Sequence, residues 1–205
     1  DDGDTIELRP GTIDNEGAEV AIIKQITIKG ADELGSEITN TAFTIQAGPV
    51  VFDGLKITGS SYININDGSA TDLSVTNCDV NVNVPAKVGN ASRAAFIAST
   101  NENNSVKLTV TGNKIIVNSS VDSYPAAIFT WARVSDGSAI SDNIFGDAEN
   151  RYKFVTVKTL NAGPGAVIEV SGNMVYGTNA IWYFYAFDFY QNTSRDNVYT
   201  VLSED

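Results

Sequence analysis

Leu108-Thr-Val-Thr-Gly-Asn-Lys-Ile-Ile-Val117 decides how the chain folds. Apolar and polar residues alternate through Leu108-Thr-Val-Thr111, which is the period of a β-strand with one buried face. Gly112-Asn113 then interrupts the alternation, and Lys114-Ile-Ile-Val117 resumes strand-forming sequence at once. One such residue is enough to bend the chain sharply without a hairpin. Gly and Asn are the residues that reach left-handed backbone conformations at low cost. The second strand therefore leaves in a new plane.

The same unit recurs along the chain. Ile26-Thr-Ile-Lys-Gly30, Leu55-Lys-Ile-Thr-Gly59, Leu73-Ser-Val-Thr-Asn77, Ala139-Ile-Ser-Asp-Asn143 and Ile168-Glu-Val-Ser-Gly172 share its pattern. Taken at Gly30, Gly59, Asn77, Gly112, Asn143 and Gly172, the closing residues are spaced 29, 18, 35, 31 and 29 apart. A constant rung carrying loop insertions gives such scatter. A second strand often follows, as in Asp79-Val-Asn-Val-Asn-Val84 and Met174-Val-Tyr176. Asn77, Asn113, Asn143 and Asn173 stand at the bend between the two strands, where stacked amides can hydrogen-bond along a column.

A third strand precedes each unit: Ala42–Ile45, Tyr62–Asn66, Ala94–Ile97, Ala126–Trp131, Lys153–Lys158 and Ala180–Tyr185. With Ile6–Leu8 at the start and Asn197–Leu202 at the end, this predicts an all-β, right-handed, single-stranded parallel β-helix of about seven coils. Each coil has three strands. At ~4.8 Å per coil the stack is ~30 Å long. Residues 1–205 read as one domain, and the opening Asp1-Asp-Gly-Asp-Thr5 reads as the interior of a longer exported protein. Neither end shows an obvious cap.

Composition limits the chemistry. The chain carries 13 Lys and Arg against 25 Asp and Glu, a net charge of −12, which repels a phosphate backbone and argues against nucleic acid. There is no histidine, so His-ligated zinc, a Ser-His-Asp triad and His acid–base catalysis are all excluded. The one cysteine, Cys78, has no partner for an internal disulfide and reads as a small buried thiol. No apolar run approaches the ~18 residues of a membrane span.

Gly3-Asp-Thr-Ile-Glu-Leu-Arg-Pro-Gly-Thr12, followed by Ile26–Gly30, resembles the opening coil of pectate-lyase-like β-helices. Val51–Ile57, Ser61–Ile65 and Leu73–Asp79 resemble uncharacterised domains of that superfamily in surface and secreted proteins of polysaccharide-degrading gut bacteria. The resemblance covers most of the chain. It implies an extracellular or cell-surface location and a polysaccharide or surface glycan as partner. It does not imply one activity. Polygalacturonase-like enzymes use a histidine, which this chain lacks, and no compact Asp/Glu cluster stands beside a basic pair.

In that superfamily ligands usually meet the sheet formed here by the strands that precede each unit. The groups expected to face outward on it are Asn64, Asn66, Trp131, Arg133, Thr156, Lys158, Tyr183 and Tyr185. Aromatic rings stack on sugars, and Arg or Lys meets a carboxylate. The aromatic run Tyr183–Tyr190 equally suits a cap over the open end of the core, and Arg133 and Lys158 equally suit ordinary surface charge. Arg93 and Lys153 are lesser basic candidates. The polar insertions Val84–Arg93, Thr100–Val106 and Asp147–Tyr152 are places where binding residues collect. Asp136, Asp142 and Asp147 could share a Ca²⁺, although their spacing is not that of an EF-hand. Three readings follow: a glycan-binding module without catalytic machinery, a polysaccharide lyase using Arg133 or Lys158 as base, and a structural stalk or adhesion module.

Overall fold

The computed structural model describes residues 2–31, 34–66, 70–87, 93–99, 103–153, 155–161, 166–177, 184–187, 193–195 and 198–201. All regular structure among them is β. The first coil is β1 (Asp4–Leu8), β2 (Gly11–Asp14) and β3 (Glu19–Ile22); the second is β4 (Ile26–Gly30), β5 (Ser36–Thr39) and β6 (Ala42–Ile45). Next come β7 (Val50–Asp53), β8 (Lys56–Gly59) and β9 (Tyr62–Ile65), then β10 (Ala70–Thr76), β11 (Asp79–Asn83) and β12 (Ala95–Ser99). The fifth coil is β13 (Ser105–Thr111), β14 (Lys114–Asn118) and β15 (Ala126–Val134); the sixth is β16 (Ser138–Ser141), β17 (Ile144–Phe145) and β18 (Val157–Asn161). The seventh is β19 (Ile168–Ser171), β20 (Met174–Gly177) and β21 (Phe184–Phe187), and β22 (Thr193–Arg195) and β23 (Val198–Val201) begin an eighth.

Each strand pairs in parallel with its counterpart one coil away, so the chain is a parallel β-helix of seven full three-strand coils. First strands form one sheet, second strands another and third strands a third. β15 starts beside β12 in the third sheet and ends beside β13 in the first, so these two sheets merge into one of 15 strands. To make that corner β15 bulges. Its register against β18 jumps between Phe129 and Arg133.

Register corrects the reading of the repeat. Glu7, Lys29, Asp53, Thr76, Thr111, Ser141 and Ser171 form one column, so successive coils take 22, 24, 23, 35, 30 and 30 residues. Leu55–Gly59 does not belong with Ile26–Gly30. Its strand, β8, lies in the second sheet, and the first-sheet strand of that coil is Val50–Asp53. Both segments alternate with the same period, so pattern alone could not separate them. The apparent 18-residue coil disappears. One strand also begins later than expected, β18 at Val157, while the expected start of the last third-sheet strand at Ala180 lies outside the described residues.

The core is a set of inward columns of like residues. Ile28, Phe52, Val75, Val110 and Ile140 line the first sheet; Ile38, Ile57, Val80, Ile115, Phe145 and Val175 the second; Phe43, Ile63, Ile97, Ile128 and Val157 the third. Stacking like on like keeps each rung the same width, so one cross-section repeats. Phe43 and Phe52 meet edge to face across the core, ring centroids 4.9 Å apart.

The corner between first and second strands explains the Gly/Asn signature. Its first residue is left-handed: Gly54, Asn77, Gly112, Asp142 and Gly172 have φ between 54° and 70°. At Gly172 a Cβ would stand 2.3 Å from Asp142 Oδ1, so a side chain there would require the Asp142 carboxylate to move aside as well as a left-handed backbone. Its second residue points inward: Leu55, Cys78, Asn113, Asn143 and Asn173, all buried. The last three form a buried ladder. Asn113 Nδ2 donates to Asn143 Oδ1 (2.9 Å), and Asn143 Nδ2 donates to Asn173 Oδ1 (2.9 Å). Each amide also donates to a backbone carbonyl, of Val75, Val110 and Ile140 respectively. Asn77 is not a rung: it is the exposed left-handed residue one position earlier, and Cys78 fills the rung, its N–H donating to Asn113 Oδ1 (2.8 Å). Cys78 is the buried thiol expected, with burial pushing its pKa up to about 12.

Candidate functional site

The outer face of the third sheet was the expected ligand face. Alternation does turn Asn64 and Lys158 away from the core, because Ile63, Ile65 and Val157 point in. Asn64, Ala98, Phe129 and Lys158 form one outward column in register. Yet much of this face is covered. Lys158 is only 7% exposed, and Thr156 is fully buried. Ala95, Ala98, Ala126, Phe129 and Val155 make a second apolar cluster there, with Tyr62 against it. Asn64 Oδ1 and Thr156 Oγ1 are buried without a hydrogen-bond partner among the described residues.

Lys158 and Trp131 are brought together. The Lys158 ammonium lies 3.6 Å from the Trp131 ring centroid and 4.6 Å from that of Phe129. The β15 bulge carries Trp131 to this position. Two ring faces stabilise the cation, while burial lowers its pKa from the ordinary 10.5. A lysine held this way reaches a large ligand only if the rings withdraw. Arg133 is exposed, but it lies past the bend, paired with Ser105 of the first sheet. Asn66 is exposed at the end of β9, and Asn64 stands three rungs (~14 Å) from Lys158. Tyr185 pairs with Lys158 through its backbone in β21; its side chain, like Tyr183 and the run's Phe189 and Tyr190, lies outside the described residues.

The lysine's lowered pKa has a measurable sign. The folded chain releases this proton more readily than the unfolded chain. The penalty is therefore complete below the folded pKa and is relieved as pH climbs towards 10.5. Lys158→Met is expected to match or exceed the wild type in thermal stability at neutral pH, with any margin shrinking as pH approaches that value. Paired melting curves across that range check it; a margin that widens with pH contradicts the assignment.

Two of the three aspartates considered for Ca²⁺ bind backbone N–H groups, and the third holds a corner of the coil. Asp136 Oδ1 accepts the Val167 N–H (2.9 Å), and Asp147 Oδ1 accepts from the Glu149 and Asn150 N–H groups and the Asn150 amide. Those backbone bonds, led by Asn150, hold the Asp147 carboxyl below its ordinary pKa. Asp142 is the left-handed corner residue. Among the described residues, no three of Asp, Glu, Cys or His converge as a metal site.

A different surface forms a concavity. On the outer face of the second sheet, Lys56, Thr58, Asp79, Asn81, Asn83, Lys114 and Asn118 line a groove of about 400 Å³. Asn83 and Asn118 also line an adjoining groove of about 490 Å³, with Ser119, Ser120, Asp122, Ser123, Arg151 and Lys153. The two make one open trough over coils three to six. Its floor is the outward column Glu37–Lys56–Asp79–Lys114, which alternates in sign and so avoids stacking like charges. Lys56 is 3.9 Å from Glu37, and Lys114 is 3.8 Å from Asp147. Hydrogen bonds from Thr58, then Thr12, hold the Glu37 carboxyl below its ordinary pKa.

The trough's wall is built by loops. Asp122, nearly buried, accepts the Ala94 N–H (3.1 Å), the Tyr124 N–H (3.0 Å) and the Arg93 guanidinium (3.2 Å). It ties the insertion after β11 to the loop after β14. Arg93 lies over the exposed Tyr124 ring at 5.7 Å. At the far end Tyr152 is buried and donates to the Ile115 carbonyl (3.2 Å), which sets Arg151 and Lys153 on the rim. Sequence reading named Arg93 and Lys153 as minor candidates but missed Asn83, Asn118 and the serines. Their signal was the outward Asn positions of Asp79-Val-Asn-Val-Asn83, which read as ordinary polar alternation. Compared with protein-family models, curated proteins and solved structures, the chain gives no match.

Proposed function

We propose that the chain is a non-catalytic glycan-binding module of an extracellular or bacterial cell-surface protein, and that the trough over the second sheet is its binding site. The carrying observation is the trough itself, an open groove lined by Asn amides and Ser hydroxyls. A sugar presents hydroxyls that both donate and accept, and amides and hydroxyls answer both needs. The groove crosses rungs ~4.8 Å apart, so a linear oligosaccharide along the stack axis meets a fresh set of polar groups at each rung. The exposed Tyr124 near its edge supplies an apolar ring. The likeness of Gly3–Thr12 to pectate-lyase-like β-helices supports the same reading, as does the location usual for them.

A glycan array followed by calorimetric titration of the hits tests the proposal. Asn83→Ala/Asn118→Ala is expected to bind the hit roughly 10- to 30-fold more weakly, at about 1 kcal/mol for each lost hydrogen bond. Both residues are exposed, so folding should be preserved. A folded chain that binds no glycan, or a double variant that binds as well as the wild type, would overturn it.

A further inference from the structure

We infer that Ser119 and Asp122 are positioning residues of the trough, which hold residues 119–125 as a preformed wall and so set the affinity of the site without binding the ligand themselves. The inference rests on the glycan-binding reading and adds how that site is made ready. Both residues line the groove, yet their polar atoms are spent on the protein. The Ser119 hydroxyl donates to the Val84 carbonyl (2.9 Å) and accepts the N–H groups of Val121 and Asp122 (3.2 Å each). One donor and two lone pairs are all that a hydroxyl has. Asp122 Oδ1 accepts from the Tyr124 N–H and the Arg93 guanidinium, and its Oδ2 accepts the Ala94 N–H. The Asp122 side chain is 3% exposed, and a carboxylate at that depth is tolerated because these donors meet it.

The anchors sit on fixed points. Val84 and Ala94 are fully buried, and they stand at the two ends of the connection from β11 to β12. The backbone brackets the loop at the same two points. The Val84 N–H donates to the Asn118 carbonyl (2.8 Å), and the Ala126 N–H donates to the Ala94 carbonyl (2.9 Å). Between those brackets residues 119–125 form no strand, so the side chains of Ser119 and Asp122 hold what the ladder does not. The loop they hold carries Ser120 and Ser123 into the groove and leaves Tyr124 exposed, its ring under the Arg93 guanidinium. A loop without these anchors exchanges among conformers, and only a fraction of them presents the wall. The apparent affinity falls by that fraction.

The test compares variants of the intact chain. Pectate, alginate, chondroitin, dextran and a soluble β-glucan are titrated first, and the tightest binder becomes the probe. Asp122→Asn keeps the shape of the side chain, but an amide nitrogen cannot accept, so at least one of the Ala94, Tyr124 and Arg93 donors faces another donor. Without ligand, amide exchange at residues 93–95 and 119–124 is expected to rise roughly tenfold or more, while β13 and β14 keep their protection. Binding of the probe should weaken about tenfold, chiefly through a slower on-rate. Ser119→Ala should move both readings the same way, and Ser119→Thr, which keeps the hydroxyl, should stay within a few-fold of the wild type. Ser120→Ala/Ser123→Ala should weaken binding and leave the unliganded exchange unchanged, as ligand contacts do. Faster loop exchange with unaltered binding overturns the inference and leaves the glycan reading standing. Weaker binding with unaltered loop exchange makes Asp122 a contact and also overturns it. If Asp122→Asn does not fold, the two Ser119 variants decide by the same readings. A folded wild type that binds none of the polymers overturns both the inference and the glycan reading.

Discussion

Asn143→Ala is expected to destabilise the fold by about 4 kcal/mol, near the top of the range for a single substitution. The residue is a middle rung. Its Oδ1 accepts both the backbone N–H and the side-chain amide of Asn113, while its own amide donates to the Val110 carbonyl and to Asn173. Truncation leaves the Val110 carbonyl and the Asn113 amide buried and short of partners. A stranded buried polar group costs about 1–3 kcal/mol, and more than one is stranded. Asn77→Ala is the control. Asn77 is exposed and makes one side-chain bond, to Asp53 (3.1 Å), so its loss should cost only about 1 kcal/mol, chiefly for placing alanine at φ 54°. Urea unfolding of both variants measures the difference; equal losses would refute the ladder.

Phe52→Ala carries the second large effect, about 3–5 kcal/mol. Phe52 is fully buried between Ile28 and Val75 and packs edge-on against Phe43 of another sheet. The stack repeats one cross-section, so neighbouring coils cannot close over the vacancy without breaking their own register. In a solenoid each coil is stabilised mainly by its neighbours. Amide hydrogen exchange should therefore rise first in the second to fourth coils, with β16 to β20 affected less. Uniform acceleration along the chain would contradict that picture.

The architecture was legible because its cause is local and repeated. Alternation marked the strands, and Gly112-Asn113, Asp142-Asn143 and Gly172-Asn173 marked the corners. The register was not legible. Ile26–Gly30 and Leu55–Gly59 have the same pattern, and only pairing shows that they belong to different sheets. The role of Asn77 was misjudged for a similar reason: the left-handed residue and the inward rung are adjacent, and asparagine suits either place.

The site was harder to read than the fold. Alternation assigns Lys158 to the outer face but cannot tell that an apolar cluster and two rings cover that face. Nor can it bring together Asn83, Asn118 and Arg151, which come from three successive coils and meet only because loops of different length end at the same corner. Arg93 and Asp122, 29 residues apart, are joined for the same reason.

The most direct measurement is residue-resolved NMR during titration with a glycan that binds. Amide shifts are predicted to concentrate at Asn81, Asn83, Asn118, Ser119, Ser120 and Lys153, along the second-sheet trough. Shifts centred instead on Asn64, Trp131 and Lys158 would move the site to the third sheet and contradict the account.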